Sequence, residues 1–402
     1  MSGLIRQRVF LRENELQRRY DVVVIGGGAH GLAIAYELAR RHGIRDVAVL
    51  ERSYVGSGGS GRNTTVLRAN YKTPETIPFF KASFDLYRTL SQELDFNLLF
   101  SPRGLLWLAH SEHALRIQRE RALLNQAFGV DTVFLGANEV GEVCPVLDLS
   151  GGGKRPVLGA AYHPPGALIR HDAVVWAYAA AVQRLGVHVH QGVEVTGVTV
   201  ERGRCVGVET SRGPIAAGAV VCAVGGYVTT VASLAGVRLP ITTHPLQAFV
   251  TESYRPVLDR IVASQDVLVY ISQSARGELL AGAEIEPYTS YSTRSTWPFL
   301  SEAASRCIDL FPFMAKLRIL RQWTGVCDMT PDYSPLMGPT QVENFYVNAG
   351  WGTWGFKATP IAGVTMAELV ATGRVPDLIA PFALDRFERD RAVSERASAG
   401  TH

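Results

Sequence analysis

Gly26, Gly28 and Gly31 stand in the spacing G-x-G-x-x-G, and Glu51 follows the last of them by 20 residues. Such a set can hold a dinucleotide. Gly26 allows a tight turn, Gly28 lets backbone approach a pyrophosphate, and Gly31 lets a helix pack closely on a strand. The phosphates then meet the positive end of that helix, and Glu51 is placed to accept the ribose hydroxyls. Three glycines alone are weak evidence, and the elements around them strengthen it. Asp21 to Ile25 is an apolar run suited to a strand buried on both faces, and an alanine- and leucine-rich helix follows the glycines. Val47 to Leu50 is a second apolar run, ending on Glu51. A glycine turn in an α/β domain without a ligand is the plainer alternative.

The unit does not by itself choose between FAD and NAD. It lies nearly at the N-terminus, and a Gly/Ser/Thr segment, Gly56 to Thr65 (GSGGSGRNTT), continues straight after the acid. A nicotinamide dehydrogenase normally enters its next crossover helix at this point. A long small-residue segment suits a flavin, whose ribityl chain and ring extend beyond the pyrophosphate, so FAD is favoured.

A second glycine cluster, Gly350, Gly352 and Gly355, precedes Lys357 at the start of the last helix. Free N–H groups there suit the electron-rich carbonyl edge of a flavin as it gains charge. Arg68, in TVLRANY, is a second candidate cation. Taken alone, either is most simply a solvated surface charge. His171 stands just before Asp172 and a helix whose positive end would keep the imidazole neutral and nucleophilic. The plain alternative is a histidine near a helix start. His163, His188, His190 and His244 have no metal-like spacing, so no metal is expected. Serine and cysteine nucleophile arrangements are absent.

Several elements must position these residues. Helical periodicity covers Ile77 to Leu94, Ser111 to Phe128 and Asp172 to Leu185, and a last helix covers Pro360 to Thr372. Strand candidates are Leu105 to His110, Val157 to His163, Val187 to His190, Glu194 to Val200, Cys205 to Thr210 and Gly218 to Val224. Residues 240–325 read as an antiparallel sheet with few long helices. The expected fold is α/β: an FAD-binding Rossmann-like domain with an inserted antiparallel-sheet substrate domain. The cofactor domain is discontinuous (20–80, 155–238 and 326–390), the substrate domain takes 81–154 and 239–325, and 1–19 forms an N-terminal arm. Within that arm, Arg6 to Arg19 reads as a solvated helix or an arm on a partner.

The 402 residues, 47% hydrophobic and 19% charged, are those of a globular protein of two joined domains. A net charge of +3 is too small to argue for nucleic acid or a membrane surface. No apolar stretch reaches the roughly 18 residues of a bilayer span, and no secretory signal is visible. Five widely spaced cysteines without C-x-x-C suit reduced thiols, so a cytoplasmic location is expected.

With these residues in view, the chain resembles the glycine and D-amino-acid oxidase superfamily of FAD enzymes. Within it, the chain is similar to the β-subunit branch of heterotetrameric sarcosine oxidases. The resemblance runs from about residue 20 to 370 and is carried by YDVVVIGGGAHGLAIAYELARRHG, GRNTTVLRANY, RHDAVVWAYA, HPLQAFVTE, YISQSARGELLAG, DMTPDYSPLMG and NAGWGTWGFKATP. G-R-N-T-T and G-W-G-T-W-G-F-K are specific to the branch.

The resemblance implies noncovalent FAD held by Gly26, Gly28, Ala29, His30, Gly31, Glu51 and Arg52, and by Gly59, Ser60, Arg62, Asn63, Thr64 and Thr65. Val195 would meet adenine through backbone, with Ala223 and Gly225 on the other side of the adenosine. Gly352, Thr353, Trp354, Gly355 and Phe356 would meet the flavin, while Lys357 and Arg68 bind the substrate carboxylate. His171 would carry a covalent FMN. Cys327 is offset by about two residues from the cysteine tether of monomeric relatives and reads as an ordinary buried thiol.

The implied reaction is oxidation of a small N-methyl amino acid, sarcosine first. Electrons would pass through FMN to O2, and the methylene unit to tetrahydrofolate on a large folate- and NAD-binding partner subunit that is accompanied by two small subunits. The alternatives are an N-methylglutamate or other secondary-amine dehydrogenase of the same plan, a self-sufficient monomeric oxidase, and a flavin-binding scaffold without activity.

Overall fold

The computed structural model describes residues 11–395. The strand Arg19–Ile25 is central to the first sheet. It pairs in parallel with Val47–Glu51 on one side and Gly213–Cys222 on the other, and Phe345–Ala349 and His188–Gln191 extend the parallel core at its two ends. All five residues of Val47–Glu51 are buried, as an apolar run covered on both faces requires. Gly213–Cys222 also pairs antiparallel with Arg204–Thr210, and that strand with Val195–Glu201.

The helix Ala29–Arg41 covers one face and packs on the last helix, Gly355–Thr372. A Cβ at Gly363 would stand 2.9 Å from the Ala33 Cβ, so small residues set this close approach. The last helix begins a turn earlier than its periodicity predicts, with Pro360 inside it. It stops at Gly373, a left-handed C-cap.

The second sheet has eight strands in the order Ile319–Met329, Thr242–Ser253, Glu278–Ile285, Val269–Gln273, Ile261–Ser264, Leu105–Ala109, Gly159–His163 and Val133–Gly136. Its pairings are antiparallel except that between Ile261–Ser264 and Leu105–Ala109. Gly159–His163, grouped on sequence with the cofactor-binding segments, therefore pairs in this sheet. Ile319–Met329 likewise runs on past residue 325. Between the strands lies a 14-residue helix, Trp297–Leu310, in a region whose sequence predicts few long helices.

Residues 1–10 of the expected N-terminal arm lie outside the described residues. Residues 11–17 form no helix, and they are tied to the helix His171–Arg184. The Arg12 N–H donates to Gln183 Oε1 (3.0 Å) and Gln183 Nε2 to the Arg12 carbonyl (2.8 Å). Among the described residues no helix is long and apolar enough to cross a membrane.

Candidate active site

The strand-to-helix turn at Gly26 is enforced by space. Gly26 has φ +111°, and a Cβ there would stand 2.5 Å from the Ala223 carbonyl oxygen. A Cβ at Gly31 would stand 2.0 Å from the Gly26 oxygen, which fixes how closely the first helix meets the first strand. The Glu51 carboxylate fastens this loop, accepting from the N–H of Gly27 (3.0 Å) and Ser53 (2.9 Å) and from Ser57 Oγ (3.2 Å). Arg52, the next residue, stacks its guanidinium 3.9 Å from the Tyr227 ring centre.

Gly59–Arg62 forms a short 3-10 turn in the glycine-rich segment. From it, Ser60 Oγ accepts the Ala29 N–H at the helix start (2.9 Å). Arg62 Nη1 donates to the Ser57 and Gly58 carbonyls, and its own carbonyl accepts from Trp323 Nε1 (2.9 Å), so the second sheet holds this segment. Asn63 Oδ1 accepts the Thr65 N–H (2.7 Å) and Thr65 sits at φ +67°. A β-branched residue in that conformation is strained, and it lines the site.

These residues line one cavity of about 550 Å³. Gly26, Gly28, His30, Glu51, Arg52, Val195, Ala223 and Gly225 line it, as do Gly59, Ser60 and the run Arg62 to Thr65. So do Arg68 and the run Gly352 to Lys357. Ala29 and Gly31 are not on the wall; they shape the loop from behind. His171 is not on it either.

Arg68, just after the short strand Val66–Leu67, and Lys357, in the first turn of the last helix, both line this cavity. Arg68 is buried, bonds the Asn70 carbonyl, and lies 4.0 Å from the Tyr71 ring centre and 5.1 Å from that of Trp107. Lys357 is half-buried, with Nζ donating to the Thr353 carbonyl (3.2 Å). Burial first, then the charge of Arg68, pushes its ammonium down to about 7. Two cations in so dry a place make a strong receptor for a carboxylate.

His30 ties the first glycine loop to the second. Its Nε2 bonds the Gly355 carbonyl (2.6 Å) and its Nδ1 the Asn348 amide nitrogen (3.0 Å), while Asn348 Oδ1 accepts from Trp351 Nε1 (3.1 Å). The partners assign the tautomer: Nδ1 accepts and Nε2–H donates. Burial pushes the ring down to about 4, so it stays neutral.

Asp328 was not singled out on sequence. Buried on the cavity wall, it accepts the Gly350 N–H (2.7 Å) and so holds the second glycine loop. Burial raises its carboxyl to about 6, opposed by the N–H groups of Trp351, Gly350 and Gly352. Asn348 and Trp351 were not singled out either: Asn348 meets His30, 318 residues earlier in the chain, and Trp351 bonds Asn348. Cys327 lines the cavity as a buried thiol whose pKa burial raises.

His171 opens the helix His171–Arg184 and is half-buried. Its Nδ1 is buried without a hydrogen-bond partner among the described residues. Burial lowers its pKa, with Asp172 opposing and Arg170 adding to the fall.

The glycine cradle, the acid at its edge and a cavity lined from Glu51 to Lys357 fit a flavin dinucleotide. Comparison with known proteins agrees. The family model "FAD dependent oxidoreductase" matches residues 21–369. The sarcosine oxidase subunit beta of Rhodobacter capsulatus is 44% identical over 96% of this chain and 93% of its own length. That of an Arthrobacter species is 42% identical over 96% and 95%. Among solved structures, the L-proline dehydrogenase of P. horikoshii superimposes with a TM-score of 0.87 at 28% identity, covering 93% of this chain and 99% of that one. The chain therefore belongs to the FAD-dependent oxidoreductase family, in the glycine and D-amino-acid oxidase superfamily, as an enzyme of amino-acid or amine donors similar to sarcosine oxidase β subunits.

Proposed function

We propose that the chain oxidises a small N-methyl amino acid, with sarcosine (N-methylglycine) as substrate, as the FAD-bearing subunit of a larger assembly. The observation that carries this reading is the pairing of Arg68 with Lys357 on the wall of the cavity that begins at Glu51. The two cations hold the α-carboxylate, and the wall between them and the second glycine loop orients the N-methyl group. Water exclusion beside two cations lowers the amine pKa, so the substrate nitrogen is neutral without a dedicated base. The carboxylate, once bound, holds Lys357 Nζ in its ammonium form. A bound flavin would supply the hydride acceptor, the substrate becoming an imine. In this reading the parallel sheet serves the cofactor and the large mixed sheet the substrate.

We propose further that His171 carries FMN, with O2 as final acceptor and the methylene unit passing to tetrahydrofolate on a large partner subunit. The neutral, unpartnered Nδ1 of His171 supports an attachment there. A second reading, a secondary-amine dehydrogenase, is favoured by the likeness to L-proline dehydrogenase.

Turnover of the chain, co-expressed with its neighbouring genes, separates these readings. Peroxide formed from sarcosine but not from N-methylglutamate or proline supports the proposal. Turnover of those two with an artificial acceptor only supports the dehydrogenase. An intact mass of the denatured chain with no added FMN would sink the tether.

A further inference from the structure

The segment that carries Arg68 is fastened by the C-terminal part of the chain. Glu395 is fully buried, and its Oε1 accepts hydrogen bonds from the Lys72 N–H (2.8 Å), the Thr73 N–H (2.9 Å) and the Thr76 hydroxyl. It thus fastens the loop that leads from Arg68 into the helix Thr76–Glu93. Arg68's own partners, Asn70 and Tyr71, lie in that run.

Glu395 is itself anchored. Its N–H donates to the Asp332 carbonyl (3.1 Å), and the Val393 N–H to Asp332 Oδ2 (2.9 Å). Arg386 grips the Asp332 carboxylate through Nε and Nη2, at 2.8 Å each. Its placement also answers a charge problem. Arg121 is buried with its guanidinium 4.7 Å from the centre of the Trp107 ring that Arg68 also approaches, and Lys72 is adjacent in sequence to Tyr71. Cations withdrawn from water, as Arg121 is fully and Lys72 in part, destabilise one another unless an anion is near, and Glu395 opposes the fall in both the Arg121 and the Lys72 pKa.

We propose that Glu395 is a positioning residue for Arg68: by fastening the amides of Lys72 and Thr73 it sets where the guanidinium meets the substrate carboxylate. This rests on the reading of Arg68 as a carboxylate ligand.

The test is acetate binding to the full-length, FAD-loaded protein, read from the shift of the flavin visible band. Three variants are compared, with bound flavin per chain measured in each. Glu395→Gln keeps an acceptor oxygen in place but loses the charge, so its Kd rises by less than that of Glu395→Ala. Glu395→Asp keeps the charge but withdraws the acceptor, and Glu395→Ala removes both. Their Kd rises about tenfold or more for Ala and less for Asp, the scale of a lost charge-assisted bond, with flavin retained. An unchanged Kd in Asp and Ala overturns the proposal. So does a Gln variant as weak as Ala beside an Asp variant like wild type, because charge alone would then matter. If Ala does not fold, the Asp and Gln pair decides. A wild type that shows no acetate shift and is bleached by no amine would instead remove the Arg68 reading, and the inference with it.

Discussion

Lys357 gives the site a pH signature. Its pKa is lowered to about 7, so the cation is the form present below that pH and is lost as pH rises through it. Carboxylate affinity is therefore highest at low pH. Between pH 6 and pH 8 the protonated fraction falls from about nine-tenths to about one-tenth, so the Kd of acetate should rise roughly tenfold, or ~1.4 kcal/mol. The ligand does not titrate in that window, and His30 and His163, both pushed down to about 4 by burial, stay neutral throughout.

Two other groups do titrate near it. Asp328, raised to about 6, gains its charge at the lower edge, and Lys72 is pushed down to about 7. Lys72 is off the cavity wall, so Lys72→Gln should keep most of the slope. In Lys357→Gln the slope should shrink to the Asp328 remnant, and the pH 6 affinity should fall by at least about tenfold. The assay is an acetate titration of the FAD-loaded protein at several pH values, read from the flavin spectrum. A flat wild-type Kd across the window, or a Lys357→Gln variant with the full slope, refutes the reasoning.

Other outcomes follow from the packing. Gly31→Ala drives a Cβ to within 2.0 Å of the Gly26 oxygen, so it should cost about 1–3 kcal/mol and release FAD, seen as a lower melting temperature and a colourless preparation. Arg386→Met leaves the Asp332 carboxylate buried and unpaired, which should cost about 3–5 kcal/mol in a denaturant melt. His30, His163 and His190 are each held neutral, near 4, below their unfolded value of 6.5. The unfolded chain therefore takes up more protons, and thermal stability should fall as pH drops from about 6.5 towards 4; constant stability over that range would contradict their burial.

The cofactor end of the site was legible in the sequence because it is local. Gly26 to Glu51 is one strand–helix–strand unit whose glycines, apolar runs and acid report their own geometry. The glycine-rich segment after it was legible as an extension of the same site, though not that Ser60 caps the first helix or that Trp323 holds Arg62. The end lined by Arg68 and Lys357 was less so: apart from the family resemblance, nothing near either residue in sequence says that they converge. Their meeting, like the His30–Asn348 link and the Asp332–Arg386 pair, is made by tertiary packing across most of the chain. The strand Gly159–His163 shows the same limit. Its apolar run fits either sheet, and only pairing with Leu105–Ala109 and Val133–Gly136 assigns it to the second.

The most direct test of the central claim is anaerobic mixing of the FAD-loaded protein with sarcosine and, separately, with dimethylamine, which lacks the carboxylate. Bleaching of the oxidised flavin band by sarcosine, with none by dimethylamine on the same timescale, is the predicted result. A band that sarcosine leaves unbleached, or that dimethylamine bleaches as fast, would contradict an amine oxidation guided by Arg68 and Lys357.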